Sequence, residues 1–346
     1  MPERIESVDS FRVLAIVCVI IVHTQPFAFA GWVHGDYFST PAIVHQLSRF
    51  PVLFFFTISG YFWGRKITDG SKVLPVTLPV IRRLLSIFLF WSVVYAVPYD
   101  IYLFYNQGFI SAVKHSYWNL LMLYNHPWTL FFSGTKIHLW FLISLSISIA
   151  TVALFIYANR VNMLLIFSIL LYIFGVLAGA YGSTLLGMHD WLVKMPARGP
   201  FQGPLCFSLG YILSRMTPDK SWVWKGCVLI GLGYILHFSE TYVIWKYFDQ
   251  GFIQDYVFGT FLVGAGFSML ALSGLKVFSA PFISWVGRMT LGVYGVHYIF
   301  VDILGHFQCE TFFATWEVLR VFSVLGLSVA LVLAMSRTTL LRRFVV

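Results

Sequence analysis

The sequence predicts an all-α, polytopic membrane protein of about ten transmembrane helices, with both termini cytoplasmic. Three observations carry that expectation. First, 59% of the 346 residues are hydrophobic, only 11% are charged, and the mean hydropathy is +0.80. A soluble domain carries about 25% charged residues, so this chain lacks the polar surface that water requires. Second, apolar runs of about 20 residues, long enough to cross the hydrocarbon core, recur from end to end. Third, with the N-terminus inside, the expected inside segments hold 16 of the Lys and Arg residues and the outside segments 7, as the positive-inside rule requires. The net charge of +9 is then a topology signal, and no nucleic-acid partner is expected. The lipid bilayer is the expected partner, and 35 Phe, 18 Tyr and 12 Trp suit its core and interfaces.

The first expected span, 13–32, contains no acidic or basic side chain except His23. Its "AFA" at 28–30 resembles a signal-cleavage site, but Glu3, Glu6 and Asp9 upstream and the histidine within argue for a retained span. The second, 42–62, ends in "FFFTISGYFWGRK", where Ser59 and Gly60 form a small pair that permits close helix approach. Arg65, Lys66 and Lys72 lead to the third, 81–99, which opens on Arg82 and Arg83. Residues 106–136 are too polar to span, and their aromatic and turn residues suit the outer interface. The fourth span, 138–158, enters through "KIHLWFL", with His138 and Trp140 at interfacial depth. Continuous apolar runs follow at 161–181, 200–215, 222–239 and 256–273. The ninth, 282–304, places Tyr294 and His297 one turn apart, and polar groups at membrane depth need partners inside the protein. The tenth is 318–337. Cys18, Cys206, Cys227 and Cys309 show neither metal nor disulfide spacing.

The first span carries the most pointed pattern. Eleven steps separate Arg12 from His23, which on a helix is three turns and about 16 Å. The two side chains therefore share a face, and Asp9 lies one turn before Arg12 on that face, placed to pair with it. Arginine can snorkel to an interface, but an intramembrane histidine is by default a functional candidate and can take and return a proton. The basic cluster of Arg65, Lys66, Lys72, Arg82 and Arg83 can hold a phosphorylated ligand or simply anchor the cytoplasmic side. HExxH, zinc-ligand pairs, a nucleotide-binding glycine loop and G-x-S-x-G are all absent from the sequence, so no metal is expected. The residue pattern alone leaves a proton-coupled carrier of a small anion or saccharide precursor open beside an enzyme.

The segments "SVDSFRVLAIVCVIIVHT", "FFFTISGYF", "HLWFL" and "LGVYGVH", in this order, resemble the acyltransferase 3 family of integral membrane O-acyltransferases. The resemblance runs from residue 7 to about 300 and is most specific in the Arg-x10-His element. It implies a single membrane domain over 1–346, with none of the appended soluble domains of some relatives, in a bacterial plasma (inner) membrane. It further implies transfer of an acetyl or other short acyl group from cytoplasmic acyl-CoA, a co-substrate and not a bound cofactor. The implied acceptor is a hydroxyl of O-antigen, exopolysaccharide or a lipid-linked sugar. By resemblance, His23 is the catalytic histidine with Arg12 as its partner, and Arg82 and Arg83 bind the donor together with Arg12. Ser86 stands where the family often repeats an arginine. Asp9, Ser59, His138, Tyr294 and His297 are supporting residues, and three of them (His138, Tyr294, His297) are candidates for orienting His23. The histidine acts as a base on the acceptor hydroxyl or forms a transient acyl-histidine.

Overall fold

The computed structural model describes residues 5–28, 39–68, 70–182, 199–248, 250–307 and 313–345. Cys309, and Arg4, Lys194 and Arg198 of the charge count, lie outside them. Every regular element among the described residues is a helix.

Helix α1 (Glu6–Thr24) carries Glu6 and Asp9 in its first turn, complementing the positive end of the helix dipole, and stops where Gln25 turns left-handed at φ 46°. The expected span 13–32 is thereby corrected. Ser7, Asp9 and Ser10 are buried within the protein, so a polar first turn that hydropathy assigns to water belongs to the helix. The expected span 42–62 divides into α2 (Thr40–Leu47) and α3 (Pro51–Thr68), because Pro51 has no N–H to continue a helix but suits its first turn. Next come α4 (Val73–Ala96), α5 (Ile101–Gln107), α6 (Phe109–Asn125) and α7 (Pro127–Ser133). A 3-10 turn (Ile137–Leu139) then enters α8 (Trp140–Tyr157), followed by α9 (Val161–Gly179) and α10 (Gly203–Ser214). The chain ends in α11 (Ser221–Phe248), α12 (Phe258–Leu272), α13 (Pro281–Gly287), α14 (Thr290–Gly305), α15 (Phe313–Ser336) and α16 (Thr339–Val345). The expected ninth span is thus two helices.

Among the described residues, 7 helical segments are long and apolar enough to cross a membrane: α1, Thr40–Thr68, Val73–Gln107, Ile137–Tyr157, α9, α11 and Ala314–Ser336. Three shorter apolar helices, α10, α12 and α14, stand where the remaining spans were expected. Residues 106–136 form α6 and α7, whose aromatic side chains, such as Tyr124 and Trp128, are exposed.

Helices pack here mainly by close contact, since lipid tails are as apolar as the side chains they touch. The tightest contact joins α3 to α10. A Cβ at Gly60 would lie 2.1 Å from the Phe207 carbonyl oxygen, and one at Gly210 would lie 1.9 Å from that of Thr57. Around this pair a core of Ile16, Leu53, Phe56, Trp91, Leu142 and Phe207 joins α1, α3, α4, α8 and α10. Polar ends are satisfied internally. The carboxylate of Glu240 accepts the free N–H groups of Phe258 (3.2 Å) and Gly259 (2.7 Å) at the start of α12. The imidazole of His237 bridges Thr260 Oγ1 (2.9 Å) and Gln46 Oε1 (3.2 Å), tying α2 to α11 and α12.

Candidate active site

A cavity of about 640 Å³ follows the inner face of α1. Both Arg12 and His23 line it, as do Val19 and Ser59 between them. The three-turn spacing therefore does on the folded chain what it does on an isolated helix. Asp9 accepts from the Arg12 guanidinium at 3.1 Å, and that guanidinium also sits 5.4 Å from the Phe62 ring centre. Because the side chain is held from two directions, its position on the cavity wall is fixed.

Since α3 runs antiparallel to α1, the cavity has two chemically distinct ends. Toward Arg12 lie Lys66, one turn beyond Phe62 on α3, and Arg288, which follows Gly287 at the Asp9 main chain; Arg83 of α4 also lines the cavity. Toward His23 lie Arg49 and His138, and Ser48, Gln202, Asp255 and Trp140 also line the cavity. There Arg49 pairs with Asp255 at 3.1 Å. The two arginines that open the third expected span separate. Arg83 lines the cavity, whereas Arg82 is absent from its wall and lines a second depression with Arg83, Ser86 and Arg343 of α16.

The histidines gather at the far end. Ring centres of His23 and His297 are 5.5 Å apart, and those of His297 and His138 are 5.0 Å apart. His297 donates from Nδ1 to the Tyr294 carbonyl at 2.7 Å, and the Tyr294 hydroxyl donates to the His138 carbonyl. Tyr294, His297 and His138 thus form one connected group, of which His297 touches His23 directly. Among the described residues, no group of three or more His, Cys, Asp or Glu side chains is arranged to hold a metal ion.

Four residues of this group escaped the sequence reading. Tyr298 lies 4.8 Å from the His23 ring and stacks on His138 at 4.9 Å and 19°. Lys136 Nζ sits 4.7 Å over Tyr298 and pairs with Asp302 at 2.5 Å, and Tyr99 donates to the same carboxylate. Asp302 had a usable signal, an acid within an apolar run, which in a membrane marks a functional candidate. Tyr298 and Tyr99 had none, since tyrosine is common throughout the chain.

A protein from Enterococcus faecalis described as an amino-acid racemase is 26% identical over 273 residues, covering 79% of this chain and 34% of that protein. The chain thus spans about a third of the curated relative's length. No solved structure matches it. The family description "Acyltransferase domain" matches residues 5–337, nearly the full length, and places the Arg12 and His23 helix at its start. The chain belongs to the acyltransferase 3 family.

Proposed function

We propose that the protein transfers an acetyl or other short acyl group from cytoplasmic acyl-CoA to a hydroxyl of a cell-surface or lipid-linked saccharide, as a multi-pass protein of a bacterial plasma membrane. The supporting observation is that one cavity is lined by a cationic end around Arg12 and by an imidazole cluster around His23. Phosphates of the donor meet Arg12, Lys66, Arg83 and Arg288 through charge-assisted contacts. The pantetheine arm then runs along α1 and brings the thioester to His23. The acceptor hydroxyl arrives from the opposite end, past Ser48 and the Arg49–Asp255 pair. A thioester is already activated, so the required help is a base for the hydroxyl and stabilisation of the oxyanion. On this reading His23 removes the hydroxyl proton and returns it to the departing thiolate. The racemase label of the E. faecalis relative is not carried over, because two thirds of that protein lies outside the match.

Purified protein in detergent, supplied with labelled acetyl-CoA and extracted cell-surface glycan, tests this reading. Label on the glycan supports it. No transfer in detergent, combined with solute uptake into sealed vesicles, would instead identify a carrier.

A graded prediction follows from the Arg12 geometry. Arg12→Lys is expected to lower kcat/KM for acetyl-CoA at least about tenfold, whereas Arg65→Lys, which does not line the cavity, stays within about twofold. An ammonium does not reproduce the planar donor fork that meets Asp9 and phosphate together. Equal losses in the two variants would show that Arg12 supplies charge alone.

A further inference from the structure

His138 is 2% exposed, lines the cavity, and makes no well-formed hydrogen bond from either ring nitrogen among the described residues. The main-chain oxygen close to its ring, that of Gly295, also accepts from the Tyr95 hydroxyl at 2.8 Å, so it can serve one ring nitrogen at most. Buried polar groups are almost always paired, because leaving one unmade is costly. Nor is the ring loosely held. Tyr298 stacks on one face, Tyr95 meets it edge-on at 5.2 Å and 83°, and Tyr294 and His297 close the remaining sides at 5.3 and 5.0 Å. An imidazole fixed by four rings, with its polar atoms left over at a cavity wall, is preorganised for a partner that the protein does not itself supply.

The geometry points to His138 as a second catalytic residue, whose neutral imidazole N–H donates to the thioester carbonyl oxygen as negative charge develops there. The inference rests on the acyl-transfer reading above. His23 takes the acceptor hydroxyl proton, and the hydroxyl oxygen bonds to the carbonyl carbon while the C=O electron pair moves onto oxygen beside His138. When the C=O bond re-forms, the C–S bond breaks and the thiolate receives the proton from His23. His138 keeps its own proton throughout. His23 and His138 both abut the rings of His297 and Tyr298, so base and oxyanion donor are held by the same two side chains. Such a preorganised donor contributes about 10²–10³-fold in kcat.

The test uses full-length protein in detergent and acetyl-CoA hydrolysis, with water standing in for the acceptor hydroxyl. His138→Phe fills the ring volume without a donor, and His138→Gln restores an N–H. The Phe variant is expected to lose about 10²–10³-fold in kcat while KM for acetyl-CoA shifts less than about threefold. The Gln variant is expected to regain at least about tenfold of that loss, with the pH dependence of kcat/KM unchanged in shape because His23 remains the base. A Phe variant within about threefold of wild type overturns the inference. So does a Gln variant as slow as the Phe variant at wild-type melting temperature, or one whose pH profile loses its acidic limb, which would make His138 the base. Should His138→Phe fail to give monodisperse protein, His138→Gln decides alone. A kcat within about a hundredfold of wild type supports the inference, and a larger loss at unchanged melting temperature overturns it. No thioester turnover by the wild type with either water or extracted glycan as acceptor overturns the acyl-transfer reading as well; every other failure falls on His138 alone.

Discussion

His23→Ala, purified at wild-type yield, is expected to lose acyl transfer by about 10²–10⁴-fold, the contribution of a positioned general acid–base group. The residue stands in the last turn of α1, where the helix ends at Thr24, and its ring faces the cavity against His297 and Tyr298. No other residue is placed both on this face of α1 and three turns from the cationic end. KM for acetyl-CoA should move little, since the nucleotide end of the donor lies about 16 Å away along the helix. The same variant separates two chemistries. Acid-quenched wild type carrying protein-bound label from acetyl-CoA, absent in His23→Ala, would show an acyl-histidine; unlabelled wild type with full turnover would show base catalysis. Retention of wild-type transfer by His23→Ala would remove the histidine from the reaction.

The second large effect is on folding. Gly210→Leu is expected to abolish recovery of folded protein, and even Gly210→Ala should lower the melting temperature in detergent by several degrees. A Cβ at this position would lie 1.9 Å from the Thr57 oxygen, 2.7 Å from the Tyr61 nitrogen and 2.9 Å from the Thr57 carbon. All three are backbone atoms of α3, so no side chain can rotate away, and whole helices must separate. Overpacking of a core costs about 1–3 kcal/mol even where side chains can adjust. Gly231 in α11 provides the contrast, since a Cβ there meets nothing within 4 Å. Gly231→Ala should be neutral or stabilising by about 0.5–1 kcal/mol, the ordinary difference in a helix interior. Equal thermal stability of Gly210→Ala and Gly231→Ala, measured by size exclusion after heating, would show that α3 and α10 do not approach this closely.

What the sequence disclosed depended on how far apart the cooperating residues lie in the chain. The Asp9, Arg12 and His23 track was legible because one helix carries all three and its period is known. Apolar run length located the seven helical segments long enough to span and the three shorter apolar helices for the same local reason. Helix breaks were less visible. The junctions at 48–50 and 288–289 span two or three residues, too few to change the hydropathy of a run about 20 long. The supporting network was hidden altogether, because Lys136 and Asp302 are 166 residues apart and Tyr99 and Asp302 are 203. No local period reports such a pairing. The division of labour between Arg82 and Arg83 was also illegible, since adjacent residues on a helix point about 100° apart and only the neighbouring helices decide which meets the cavity.

The wall of the cavity carries an excess of fixed positive charge. Of the five cations on the wall, Arg12 and Arg49 pair with Asp9 and Asp255, while Lys66, Arg83 and Arg288 add positive charge. Fixed positive charge in a narrow low-dielectric space repels protons and small cations, as it does in water-selective pores. On the proposed acyl-transfer reading, the residues that would meet a polyanionic nucleotide would also oppose leakage of protons and small cations through the cavity.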